Sequence, residues 1–168
     1  SLNLDEELYF RIIRHKTASL LASACAAGAY STSGSEETTE KLRKFGELVG
    51  IAFQIKDDLF DYGHEDVGKP TGNDIREKKL TLPLIYTINH ATPQMRKELI
   101  YILKNQNKQQ KKIDYVIATV EKAGGISYAI QKMNDFKNEA LGILDEFDEG
   151  LVKQTLVQLV NFTTDRKK

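Results

Sequence analysis

The sequence predicts an all-α fold, a helical bundle forming one domain over residues 1–168. Three observations lead there. Apolar residues return every three or four positions through most of the chain, the spacing of a single buried helix face. The residues that break helices gather at a few junctions, above all between Gly63 and Asn73. No segment shows an apolar–polar alternation that survives comparison with a helical reading.

Taken in order, the first helix is predicted from Leu4 to Tyr30, with Leu8, Ile12, Ile13, Leu20 and Leu21 as its apolar positions and Asp5, Glu6 and Glu7 in the first turn, where the helix dipole favours anions. The stretch Ala22–Ala29 is made of small residues, which suggests a surface for close approach of another helix or of a second copy; Gly28 is expected to be part of that contact. Ser31–Ser35 reads as a turn that caps the next helix. That helix is predicted from Ser35 to Tyr62, with Leu42, Phe45, Leu48, Val49, Ala52 and Phe53 on its buried stripe. After the loop, helical spacing returns at Leu82–His90. Thr92-Pro93 has the form of an N-cap followed by a first-turn proline. Helices follow at Gln94–Lys104, Lys108–Lys122, Ile126–Phe147 and Leu151–Phe162, and Thr163–Lys168 is expected to fray.

Composition excludes several functions. Lys+Arg and Asp+Glu both count 24, so the basic excess of a general nucleic-acid binder is missing. No apolar run approaches the length of a membrane span, and the start does not read as a signal peptide. A single cysteine, Cys25, cannot form an internal disulfide; it fits a reducing, cytoplasmic setting and a small packing role among alanines. His15, His64 and His90 stand far apart and do not assemble a zinc site with it.

One segment carries chemistry: Phe53-Gln54-Ile55-Lys56-Asp57-Asp58-Leu59-Phe60-Asp61. On a helix, Gln54, Asp57, Asp58 and Asp61 lie three, four and seven positions apart and share a face. Three carboxylates so close repel one another and need either a cation or full solvation. Hard oxygen ligands without imidazole or thiol suit Mg2+, which binds a few carboxylates, keeps waters and takes substrate phosphates as well. Lys69, Lys78 and Lys79 follow, with Asp74 between them. Acids for a metal beside lysines for phosphate is the arrangement a diphosphate–magnesium complex requires. Asp-Asp-x-x-Asp by itself is more often a solvated acidic turn; the surrounding residues change that balance.

Those surroundings resemble the trans-type isoprenyl (polyprenyl) diphosphate synthases. Phe53-Gln54 with Asp57-Asp58-Leu59-Phe60-Asp61 is similar to the family's second aspartate-rich motif. Gly68-Lys69, Gly72-Asn73-Asp74 and Lys79-Leu80-Thr81-Leu82-Pro83 are similar to the segment that follows it, and Lys16-Thr17 to a Lys-Thr pair on an earlier helix. The resemblance covers the whole chain but only the C-terminal half or so of the family's domain. The first aspartate-rich motif is not in the sequence.

The resemblance implies the C-terminal part of the isoprenoid synthase fold and a magnesium-dependent prenyl transfer, in which isopentenyl diphosphate is joined head-to-tail to an allylic diphosphate. It implies Asp57 and Asp61 as metal ligands, with Asp58 either a ligand or an orienter of its neighbours. Lys16, Lys69 and Lys79 would hold diphosphate oxygens, Thr17 would join them, and Gln54 and Thr17 would line the reacting end of the pocket. Lys78 stands where the family commonly has glycine. A homo-oligomer, a dimer, is implied as well. Two other readings remain: a non-catalytic helical partner of a prenyl synthase, and a terpene cyclase-like protein.

Overall fold

The computed structural model describes residues 5–63 and 71–165, and among these every regular element is a helix. The described residues divide into two compact units: residues 5–9 with 57–131, and residues 10–56 with 132–165.

The chain enters through α1, Glu6–Ile13, whose free Glu7 N–H is taken by the Asp5 carboxylate at 2.9 Å, an N-cap. A five-residue π segment, Arg14–Ala18, follows, closed by the Ser19 N–H donating to Arg14 O. Periodicity does not predict it, because a π turn adds one residue without breaking the helical rod. The predicted stripe holds only in part: Ile13 is buried, whereas Ile12 and Leu20 are 53% and 74% exposed. Then comes α2, Ser19–Ser33, ended by Gly34 at φ +61°, a left-handed C-terminal position that glycine takes without steric cost.

The small-residue stretch of α2 is divided. Ala22, Ala26 and Ala29 are buried, while Gly28 faces open space and makes no helix contact, against expectation. The partner on the buried side is α3, Glu36–Leu59, which starts under Ser35: its hydroxyl accepts the Thr38 N–H at 3.3 Å. Gly46 and Gly50 are the reason for the close fit. A Cβ on Gly46 would stand 2.5 Å from Leu21 O, and one on Gly50 would stand 2.6 Å from Ala18 Cα. Backbone cannot give way as a side-chain tip can, so both positions have to be glycine.

The core of this second unit gathers Phe45, Leu48 and Val49 of α3 with Ala140 and Leu144 of α8, Gly125–Leu144, and Val160 of α9, Leu151–Asp165; Cys25, Leu42 and Phe136 pack around it. Burying each large aliphatic side chain contributes about 1.5–3 kcal/mol. The predicted fraying stops short of Thr163 and Thr164, which are buried and donate to Val160 O.

The first unit is built on the remaining helices. A 3-10 turn, Phe60–Tyr62, prolongs α3; α4, Asn73–Arg76, is a single turn that hydrophobic spacing cannot reveal. Its Ile75 is fully buried, as are Leu82, Leu84, Ile85 and Ile88 of α5, Leu82–His90. α5 packs on α6, Pro93–Asn105, and α7, Gln110–Lys122. Thr92 caps α6 as predicted, accepting the Met95 N–H at 3.3 Å.

Candidate active site

The polar residues singled out in the sequence fall in both units, and each group is held by its own local device.

In the second unit, Lys16 and Thr17 lie in the π segment. Lys16 is exposed, Thr17 is half-buried, and Ala18 is fully buried. Gly50 allows Ala18 to approach α3, and Gln54 is one turn further along the same helix face. The Thr17 hydroxyl donates to Gln54 Oε1 at 3.2 Å, joining two residues 37 positions apart. The structure thus places Thr17 and Gln54 together.

In the first unit, Asp57 and Asp58 sit in the last turn of α3. Asp57 is half-buried; Asp58 is only 5% exposed. A carboxylate taken so far from water must be hydrogen-bonded to remain ionised without a large penalty. The Tyr9 hydroxyl donates to Asp58 Oδ2 at 2.7 Å, a buried contact. Tyr9 was not marked by any sequence motif; burial, then the Asp58 charge and the hydrogen bond to it, push its phenol well above the ordinary range.

Asp61 does something the motif does not announce. Its Oδ1 accepts the Asn73 N–H at 2.7 Å and its Oδ2 the Asp74 N–H at 3.0 Å, while its backbone carbonyl accepts the Gly72 N–H at 2.9 Å. The carboxylate therefore caps α4 and ties the 3-10 turn at the end of α3 to residues 72–74. Burial and the nearby Asp74 charge raise its pKa, and the two backbone donors oppose that rise. Beneath it, Tyr62 and Thr81 share a buried hydroxyl pair at 2.6 Å.

Lys79 donates to Asp74 Oδ1 at 2.8 Å, and that bond is the main cause of its raised pKa. Lys69 lies outside the described residues. Lys78 is the one described non-glycine residue with positive φ, +59°, and its ammonium donates to Lys104 O at 2.9 Å. The left-handed backbone gives a reason for a glycine at this position, and the hydrogen bond takes the Lys78 charge to the end of α6.

The donors are carboxylate oxygens with no nitrogen or sulfur among them, a set that fits a hard cation in kind. Among the described residues no three His, Cys, Asp or Glu side chains close on a point that holds a metal. Mg2+ does not require such a cage: it is commonly bound by one or two carboxylates, with substrate phosphates and waters completing its shell. Among the described residues no helix is long and apolar enough to cross a membrane.

An all-helical scaffold with carboxylates at the end of one long helix and a bonded Thr–Gln pair earlier in the chain fits the class of the isoprenyl diphosphate synthases. The Polyprenyl synthetase family model matches residues 1–120, and the chain belongs to that family. It is 33% identical over 168 residues to a short chain isoprenyl diphosphate synthase of Methanothermobacter thermautotrophicus, covering 99% of this chain and 51% of the relative. Over 164 residues it is 32% identical to the octaprenyl diphosphate synthase of Haemophilus influenzae, covering 96% of this chain and 50% of the relative. The structure superposes on a geranylgeranyl pyrophosphate synthase from Bacteroides thetaiotaomicron with a TM-score of 0.89 at 36% identity, covering 98% of this chain and 55% of the other. A polyprenyl synthase from Caulobacter crescentus, crystallised with calcium and isoprenyl diphosphate, gives a TM-score of 0.90 at 30% identity and covers all of this chain and 52% of the other. The chain spans about half the length of the curated relatives it matches.

Proposed function

We propose that the chain carries the part of a trans-prenyltransferase site that holds Mg2+ and the allylic diphosphate, for head-to-tail condensation with isopentenyl diphosphate. The observation that carries the reading is the acidic run at the end of α3: Asp57 and Asp58 in its last turn and Asp61 in the 3-10 turn that prolongs it, with Asp61 bonded to the backbone of α4 and Lys79, just past α4, held by Asp74. Family membership supplies the chemistry to which such a cluster is suited.

In this reading, bound Mg2+ supplies charge neutralisation on the diphosphate through Asp57 and Asp61. Lys16, Lys69 and Lys79 would hold diphosphate oxygens as point charges, and the Thr17 hydroxyl would donate to them as well. The allylic C–O bond breaks with its electron pair leaving on the diphosphate. The isopentenyl double bond then attacks the allylic carbon, and the new cation loses a proton to restore a double bond. Charge on the departing diphosphate is what the lysines stabilise, and interactions that strengthen as that charge develops speed the step. Thr17 and Gln54, held to each other, line the reacting end. The protein works in the cytoplasm as a homodimer.

Because the first aspartate-rich motif is not in this sequence, the 168-residue chain alone is expected to bind an allylic diphosphate but not to elongate it at a useful rate. Equilibrium dialysis with radiolabelled farnesyl diphosphate tests the reading: retention in Mg2+ that is lost in EDTA supports it, and equal retention in both, or none, overturns it.

A further inference from the structure

Tyr9 belongs to no motif, yet its hydroxyl donates to Asp58 Oδ2 at 2.7 Å across 49 residues of sequence. Both side chains are withdrawn from water, at 6% and 5% exposure. A phenol hydroxyl has one proton to donate, and a carboxylate accepts along defined lone-pair directions, so one short buried bond of this kind holds the acceptor at a fixed rotation. Hydrogen bonds to charged acceptors are also stronger than neutral ones. Asp57 is the preceding residue on α3, and any turn of the helix end that frees Asp58 also moves Asp57. Tyr9 is anchored in turn. It lies on α1, whose Glu6 accepts the Tyr128 hydroxyl at 2.7 Å, and Tyr128 stacks on Tyr86 with ring centres 4.3 Å apart.

We propose that Tyr9 is a positioning residue for the metal-bearing end of α3: its hydrogen bond sets the orientation of the Asp58 carboxylate and with it the acceptor geometry offered to a divalent cation and its diphosphate. This rests on the proposed function above. Partners that orient metal-binding carboxylates generally matter by about ten- to a hundredfold in metal affinity.

The test is calorimetric titration of pyrophosphate into the 168-residue chain, in Mg2+ and in EDTA, for the unaltered chain and for Tyr9→Phe, with thermal melting of each. The expected result is about tenfold weaker pyrophosphate binding by Tyr9→Phe in Mg2+, with no change in EDTA. A Tyr9→Phe chain that melts earlier but keeps its full Mg2+-supported affinity has lost only a packing contact, and the proposal falls. If the unaltered chain shows no Mg2+-dependent binding, the proposed function fails and the role of Tyr9 with it. Should Tyr9→Phe not fold, the Tyr9 Cζ resonance of 13C-labelled wild-type chain takes its place. A shift when Mg2+ and pyrophosphate are added supports the role, and an unmoved resonance overturns it.

Discussion

Residues 10–56 with 132–165 bring Thr17 and Gln54 together by leaving side chains out. Gly46 and Gly50 let α3 meet the backbone at Leu21 and Ala18, and Thr17 then reaches Gln54. Residues 5–9 with 57–131 do the reverse and hold their acids with polar groups, Asp58 with a tyrosine hydroxyl and Asp61 with two backbone N–H groups. The difference teaches where each unit is sensitive. A steric seam has no charge to titrate or neutralise and fails only when a group is added. A set of bonded carboxylates fails when a donor is removed and responds to cations.

The seam should give the largest effect. Gly50→Val forces a Cβ and two methyl groups onto the backbone of Ala18, and we expect a loss of about 3 kcal/mol or more in denaturant unfolding. A loss under 1 kcal/mol would mean that the helices separate easily and the comparison breaks on its steric side.

Next is Asp61→Ala, which removes the acceptor of two backbone donors. With Asp61 half-buried, a loss of about 1–2 kcal/mol is expected, together with faster hydrogen exchange at the Asn73 and Asp74 amides. Amides in the core around Phe45 and Leu48 should keep their protection. Unchanged exchange at Asn73 and Asp74 would show that the carboxylate does not hold the start of α4.

Much of this was legible in the sequence. The spacing of Leu82–Ile88 and Leu99–Leu103 marks buried faces because these helices present one apolar side to a core. The Ser35 and Thr92 caps are visible because capping is a local rule. The π segment, α4 and the Tyr9–Asp58 bond were not legible, for three separate reasons. A π turn leaves no compositional trace, a four-residue helix is shorter than the period used to find it, and a contact across 49 residues has no local signature. Gly28 misled because small size permits close packing without requiring it. For Lys78 a signal existed: the family's usual glycine marks a left-handed backbone, which is what the +59° angle shows.

That residue gives a smaller test, of opposite sign. Lys78→Gly relieves a left-handed backbone at the cost of an exposed hydrogen bond, so a net gain of about 0.5–1 kcal/mol is expected. A loss would show that the bond to Lys104 O outweighs the backbone term.

The smallest effect concerns Cys25, which packs beside the core of the steric unit. Burial pushes its thiol up, so the reactive thiolate is scarcer at neutral pH than in a free thiol. Alkylation by iodoacetamide near neutral pH should be several-fold slower than for N-acetylcysteine and recover in urea; equal rates in the folded chain would contradict it.

The central claim, that the end of α3 is built for a divalent cation with a diphosphate, is tested most directly by comparing Asp57→Ala with the unaltered chain in pyrophosphate titrations with Mg2+ and with EDTA. Asp57 is half-buried in the last turn of α3, and denaturant unfolding of both chains separates lost stability from lost binding. The account predicts binding that is tighter in Mg2+ than in EDTA for the unaltered chain, and a loss of about tenfold or more of that Mg2+-supported affinity in Asp57→Ala. Equal affinity for the two chains in Mg2+ would contradict it and leave the carboxylates with a structural role only.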